Sequence, residues 1–550
     1  MKGSAGIAIM PRSQSNGEKT MKKQQKTLTL LIAAAFGLAA QTAMAENVLR
    51  RGNGSEPQTL DPQTAQGVPE SNILRDLFEG LVGEDASGNL VPGVAEKWDI
   101  SADGKTYTFH LRDTKWSDGS PLTAHDFVYA WQRAVDPATG SNYSFLLYPI
   151  KNAKKIAEGE LKDATQLGVK ATDDHTLVAE LEGPTPYFLG LLTHATAYPA
   201  PKAAIEKHGK KWTRPENIVS NGPFKLDNWQ PNAQLTVAKS DQYWDKEAVK
   251  LDKVIYYPTE NQTSDMNRYR AGEVDMTYEI PNDQIKMLRE NFKDELKISS
   301  YLGTYYYGFN LTRPPFKDNP KLREALTLAI DRDIITDKVT GAGEKPAYSF
   351  VPPGINGYDH YTPEYASLDK AARIEKAKKL YEEAGYGKDK PLKMDLLYNT
   401  SENHKKIAVA VAAMWKQNLG VQTNLTNQEW KVFLNTRNEK KQTEAFRAGW
   451  IGDYNDAYSF LELFQSKSGL NDSGYVNEKF DALLAQAAQE QDMGKRAAIL
   501  KDAEKMLTDD YPVAPVYSYV TKRLVKPYVK GYAEENVMDH RSSKYMWIEK

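Results

Sequence analysis

The chain has 550 residues, of which 40% are hydrophobic and 26% charged, with no cysteine and a formal net charge of −2. That length supports several domains and a large core, while the slightly acidic balance excludes nucleic acid or an anionic membrane as the main partner. Without cysteine there is no disulfide, no thiol chemistry and no acylated lipoprotein anchor.

Lys22, Lys23 and Lys26 precede an apolar run from Leu28 to Ala40, followed by the small-x-small site Ala43-Met44-Ala45. This predicts a secretory signal peptide cleaved after Ala45, with Met21 the better initiator and residues 1–20 an upstream extension. The run is too short to span a bilayer, and no later stretch is long and apolar enough. The first 45 residues hold six Lys/Arg and one acid, which leaves residues 46–550 with 65 basic and 72 acidic side chains, a net charge of −7. An exported, cysteine-free chain reads as a free protein of the bacterial periplasm.

Val48–Arg51 predicts a first strand, and Asn53-Gly54 a turn. Gln66-Gly67-Val68 reads as a short extended piece ended by Pro69. Ser71–Leu81 has helical spacing, with Ser71 as its cap. Lys105–Arg112 alternates, with Tyr107, Phe109 and Leu111 on one face, as a half-buried strand does. Thr123 caps a helix from Ala124 to about Val135. Further strands are expected at Thr176–Leu181 and Leu235–Ala238.

After Leu302 helices dominate, at Pro320–Ile330, Lys370–Ala384, His404–Leu419, Glu478–Glu490 and Met493–Thr508. Short strands lie among them at Lys393–Tyr398, Gln422–Leu425 and Ala445–Trp450. Alternating helices and strands indicate an α/β fold. Two lobes with a cleft between them is the natural arrangement, and ligand sites favour such interfaces. Tyr and Trp number 41 against 16 Phe, which suits wet recognition surfaces.

The search for reaction chemistry is negative. There is no His-Glu-x-x-His, P-loop, Gly-x-Ser-x-Gly or Gly-x-Gly-x-x-Gly. The eight histidines never sit at ligand spacing. Ser367-Leu368-Asp369-Lys370 matches a Ser-x-x-Lys pattern, but Ser367 reads better as a helix cap. Asp453 and Asp456 form a possible carboxylate pair. The expectation is a binding protein, not an enzyme, with no cofactor and no metal.

Arg447-Ala448-Gly449-Trp450-Ile451-Gly452-Asp453-Tyr454-Asn455 is the most informative segment. A strand ends in one carboxylate, with glycines that let another backbone approach closely. Asp453 can hold a cation and Arg447 an anion, so the segment reads as one wall of a peptide clamp. A salt-bridged edge strand is the competing reading.

Val94-Ala95-Glu96-Lys97-Trp98, the Asp99–Phe109 run, Leu111-Arg112, Trp116-Ser117-Asp118-Gly119 and Leu122–Phe127 together resemble the signature of the peptide- and nickel-binding family (family 5) of periplasmic solute receptors. Leu396–His404, Asn427-Gln428-Glu429-Trp430 and Arg447–Asn455 resemble its oligopeptide-binding branch, with the murein-tripeptide branch a close second. The likeness runs from about Val48 to the C-terminus.

It implies a two-lobed periplasmic binding protein (class II, cluster C-like) with an additional third domain. Lobe I would comprise 46–78, 203–302 and 521–550, the extra domain 79–202, and lobe II 303–520. The lobes would close on short peptides by a hinge. A peptide would add as a strand against Gln66-Gly67-Val68 and Gly449-Trp450-Ile451, in the β-augmentation mode. By the resemblance Asp453 anchors the peptide ammonium. Arg447, His404 and Arg437 are basic groups near its C-terminus. Trp430, Trp450, Tyr143, Tyr278, Tyr306 and Tyr519 line its pockets.

The implied partner is an inner-membrane ABC peptide permease, served by a monomer with no stable membrane insertion. Rival expectations are a cell-wall tripeptide receptor, a periplasmic peptidase or chaperone, and a nickel or haem receptor. Three positions depart from the family pattern. Thr340 stands where a lysine is frequent, Gln66 where an acid is common, and Gly303 and Ile451 where some members carry a cysteine pair.

Overall fold

In the computed structural model, residues 46–550 and the single residue Ala8 are described. The expected signal peptide and its cleavage site lie outside the described residues. Residues 47–550 form one compact unit.

The chain enters through β1 (Val48–Gly52) and α1 (Val68–Leu77). Here the structure corrects two expectations. Gln66-Gly67-Val68 is not a strand: Gly67 is extended and caps α1, and Val68 is its first residue. Pro69 does not end an extended piece. It sits in the first helical turn, where its missing N–H costs nothing and its fixed φ suits the helix. The helix thus begins before Ser71, and it stops at Leu77, where Phe78 turns extended and packs edge-on to Trp212 at 6.4 Å.

A small sheet follows, from β2 (Ala95–Ile100) and β3 (Thr106–Leu111). α2 (Ala124–Val135) comes next, then β4 (Val169–Asp173) and β5 (Thr176–Glu180), in the antiparallel order β2-β3-β5-β4. Tyr107, Phe109 and Leu111 face inward as the alternation requires. α2 begins where expected, and the Asp126 carboxylate accepts from the Thr123 N–H at 2.8 Å.

The chain then forms β6 (Phe224–Gln230), β7 (Gln234–Lys239) and β8 (Lys253–Tyr257), which return to β1 in the order β1-β8-β7-β6. β1 and β8 are parallel, in register Val48↔Lys253 to Gly52↔Tyr257.

The largest sheet begins with β9 (Leu296–Phe309). α3 (Pro320–Leu328) and α4 (Lys370–Glu383) follow. Asp369, not Ser367, caps α4, because its carboxylate accepts from Ala372 N–H at 2.8 Å. Ser367 instead donates to Glu364 O at 2.7 Å within a separate turn. Then come β10 (Lys393–Asn399), α5 (Glu402–Leu419), β11 (Gln422–Gln428) and α6 (Trp430–Glu439). β12 (Ala445–Ile451), α7 (Glu478–Gln489), α8 (Met493–Asp510) and β13 (Val513–Leu524) complete it.

The sheet order is Lys345–Pro346, β13, β9, β12, β10, β11. β10 and β11 are parallel and joined through α5, a strand–helix–strand crossover. β9 and β13 pair antiparallel, with register shifts between Ser300 and Thr304 and between Tyr305 and Tyr306. Both strands run through the expected lobe boundaries at 302/303 and 520/521. Trp131, Trp212 and Trp415 are among the largest side chains fully buried in the core.

Candidate functional site

The strand β12 sets the site. β9 pairs with all of it, from Phe309↔Ala445 to Gly303↔Ile451. On its other side β10 meets only Ala445 and Phe446. From Arg447 to Ile451 that edge has no strand partner among the described residues. A sheet edge of unpaired N–H and C=O groups is a ready template for another extended chain.

This edge faces a cavity of about 240 Å³. All fifteen sequence-expected site residues line it: Asp453, Arg447, His404, Arg437, Trp430, Trp450, Gly449, Ile451, Gln66, Gly67, Val68, Tyr143, Tyr278, Tyr306 and Tyr519. They come from elements separated by up to several hundred residues. Sequence reasoning did not single out Arg75, His194, Asn399, Lys522 or Arg523, which line it too. Asn399 lies inside the Leu396–His404 segment singled out above, whereas Arg75, His194, Lys522 and Arg523 lie in stretches without a motif, so nothing local marks them.

Asp453 lies just past β12, and its N–H donates to Ser459 Oγ at 2.8 Å. Its Oδ2 is buried with no hydrogen-bond partner among the described residues. Burial pushes the carboxyl up to about 8, against the pull of Arg75 and Tyr143. His194 Nε2 is 3.6 Å from Asp453 Oδ1, but burial and the Arg75 charge push that imidazole down to about 3. At neutral pH the contact is therefore not an ion pair. Tyr143 stacks on His194 at 4.6 Å and on Trp450 at 6.3 Å, which walls this end with aromatic faces. The result is a buried carboxyl in want of a cation.

Arg447 presents the opposite demand. It donates to Asn399 Oδ1 at 3.1 Å and to the Tyr519 hydroxyl at 2.5 Å. The guanidinium carbon lies 4.6 Å from the Tyr305 ring centroid. None of these groups is an anion. Gly449 is required beside it, because a Cβ there would collide with the Tyr519 hydroxyl and lie 3.1 Å from Arg447 Nη2.

The other two basic groups differ from the expectation. Burial, with Arg447 and Lys522 nearby, holds His404 well below the usual imidazole range. His404 can exchange hydrogen bonds but adds no positive charge. Arg437 Nε lies 2.7 Å from the buried Asp472 Oδ2, so its charge is already matched. Asp456 is no partner for Asp453, because Arg496 grips it through two bonds of 2.8 and 2.9 Å.

The far wall comes from the start of α1. A Cβ on Gly67 would lie 2.5 Å from Glu70 Oε2 and 2.7 Å from Trp430 Cζ2, so glycine lets the Trp430 ring seat against the chain. The Trp430 indole N–H donates to Glu70 Oε1 at 3.3 Å. The Gln66 and Asn438 side-chain amides meet at 3.1 Å. Thr340 does not line the cavity; its hydroxyl donates to Thr336 O at 3.2 Å. Gly303 and Ile451 are register partners, and the Ile451 side chain fills the space above Gly303.

Known proteins resemble the chain in sequence and in fold. Residues 89–472 match the family of bacterial extracellular solute-binding proteins, family 5 Middle. The chain is 48% identical over 530 residues to the periplasmic oligopeptide-binding protein OppA of Salmonella typhimurium, covering 95% of this chain and 97% of that one. It is similar in structure to Haemophilus influenzae OppA in complex with RPPGFSPFR, with a TM-score of 0.89, 42% identity, and 92% and 99% of the two chains covered. The Escherichia coli murein tripeptide binding protein MppA gives 0.90 at 42% identity, over 92% and 99%. The unliganded open form of MppA gives only 0.64 at the same identity, over 92% and 98%. The fold therefore departs from that open arrangement. The chain belongs to the family 5 extracellular solute-binding proteins.

Proposed function

We propose that the protein is a periplasmic receptor that captures short oligopeptides by their backbone and both termini and delivers them to an inner-membrane ABC permease. The observation that carries this reading is one strand edge, unpaired from Arg447 to Ile451, with an anion-seeking guanidinium at one end and a cation-seeking carboxyl just beyond the other. A free peptide supplies what each group wants, and its main chain can occupy the edge between them. Main-chain bonds do not depend on side chains, so affinity spreads over many sequences. The ligand leaves chemically unchanged.

Lobe I (46–78, 203–302, 521–550) and lobe II (303–520) would close around the peptide, with 79–202 as an added domain. On this division β9 and β13 would pass between the two lobes, and the irregular register between them is compatible with a hinge there. The receptor would act as a monomer, released into the periplasm by signal cleavage after Ala45.

The test is calorimetric titration of unfolded-and-refolded protein with trialanine and with N-acetyl-trialanine. The ammonium–carboxylate contact contributes about 1.5–3 kcal/mol, so acetylation should weaken binding by roughly 10- to 150-fold. Equal binding of both peptides would sink the Asp453 assignment. A second reading is a murein-tripeptide receptor, favoured by Thr340 and by the fit to MppA. Preference for a γ-linked acidic tripeptide over trialanine would select it.

A further inference from the structure

The cavity holds one cation that the reading above leaves unused. Its charged lining can be taken group by group. Arg437 lies against Asp472. Lys522 donates to Glu344 and Asn282, both at 2.6 Å, and lies 3.6 Å from Glu279. Arg523 pairs with Asp539 at 2.6 Å. His404 and His194 are held neutral. Among the described residues two lining cations remain without a carboxylate, Arg447 and Arg75.

Arg75 is in the last turn of α1 and lines the cavity. It makes no hydrogen bond or ion pair among the described residues, and its Nε is buried and unpartnered. Its charge acts on Asp453 and His194, at the end where the ligand ammonium would sit, and also on His540 and Tyr301. A partly buried guanidinium without an acceptor is costly unless a ligand supplies one. Asp453, whose carboxyl holds a proton at neutral pH, forms no ion pair with Arg75, and no other carboxylate among the described residues is paired with it. Arg447 is assigned to the terminal carboxylate, so the group that satisfies Arg75 must be a different one.

We propose that Arg75 is a specificity residue that receives a second carboxylate, carried within about the first two residues of the ligand. The preferred class would be peptides acidic at that end. This rests on the peptide-receptor reading. The carboxylate could come from a Glu side chain or from the α-carboxyl that a γ-linked glutamyl residue leaves free. The chemistry at Arg75 is the same for both, a planar bidentate pair.

Calorimetry with Glu-Ala-Ala, Ala-Glu-Ala and Ala-γ-D-Glu-Ala, each against its neutral amide counterpart, tests this. Trialanine is the reference. Each protein is read as its own acid-to-amide affinity ratio, so a general loss of folding or affinity cancels. Wild type should favour at least one acid by about tenfold or more. Arg75→Gln should bring that ratio near one, and Arg75→Lys should restore part of it. A gain confined to the γ-linked pair assigns the carboxylate to isopeptide-linked ligands, and one confined to the α-linked pairs assigns it to a side chain. A wild-type ratio of one or less for all pairs, or the same ratio in Arg75→Gln, overturns the proposal while leaving trialanine binding to support the receptor reading. Failure of trialanine and all acidic peptides to bind overturns both.

Discussion

Asp453 Oδ1 lies 3.6 Å from His194 Nε2, yet burial drives the two groups apart in charge, toward a protonated carboxyl and a neutral imidazole. The free receptor thus holds a proton at Asp453 that a bound ammonium must displace. With the free carboxyl at about 8, binding releases close to one proton near pH 7. Affinity for trialanine should rise by up to about tenfold per unit from pH 6 toward 8. It should then fall as the peptide amine, with a pKa of about 7.7–8.0, loses its own proton. Titration in buffers of different ionisation enthalpy counts the released proton, and a flat profile below pH 7 would show that Asp453 is ionised in the free protein.

The same burial makes Asp453 a cost to the free fold. Its folded value lies above the ordinary carboxyl value of 3.8. In the unfolded chain the proton leaves at lower pH, so this group's contribution to stability declines as pH rises through the window from about 4 to 8. Asp453→Asn removes that decline. The variant should be more stable than wild type at pH 8 by about 1–3 kcal/mol and close to it at pH 4. Urea unfolding at both pH values measures the difference, and trialanine binding should weaken by roughly 10- to 150-fold in the same variant.

Arg447→Met removes the guanidinium that no anion balances. Affinity for free tripeptides should drop by roughly 10- to 150-fold, the worth of one charge-assisted contact. C-terminally amidated tripeptides should already bind weakly to wild type and lose little more in the variant. An equal loss for acid and amide would mean that Arg447 only shapes the cavity wall.

Gly67→Ala places a methyl group where Glu70 Oε2 and Trp430 Cζ2 leave no room. Because Trp430 belongs to α6 and Gly67 precedes α1, the strain should fall on the contact between these two segments, which the proposed closure would bring together. Overpacking of this kind costs about 1–3 kcal/mol, so peptide affinity should fall by roughly 5- to 150-fold. Scattering from the variant at matched peptide concentration should show a larger radius of gyration. Adding Trp430→Ala should relieve the clash and narrow the difference made by the Gly67 change.

Local pattern made most elements legible. Strand alternation at Tyr107, Phe109 and Leu111, the capped start of α2, and the helices after Leu302 all follow from neighbours within one or two turns. Pro69 was misleading, because proline is compatible both with the end of an extended stretch and with a first helical turn. Only the folded backbone, in which the helix starts at Val68, shows which applies. Ser367 lost its expected role in the same way, since Asp369 reaches the free N–H groups of α4 and Ser367 does not.

The sequence by itself determined the family, the α/β class and the residue types of the clamp, since motif, periodicity and composition are written along the chain. Only the tertiary structure decided which charges are free. Arg437 and Asp456 are spent on Asp472 and Arg496, and His404 is neutral, while Asp453, Arg447 and Arg75 lack ionic partners among the described residues. Charge state and pairing depend on desolvation and on neighbours brought from distant segments. No window of sequence contains either.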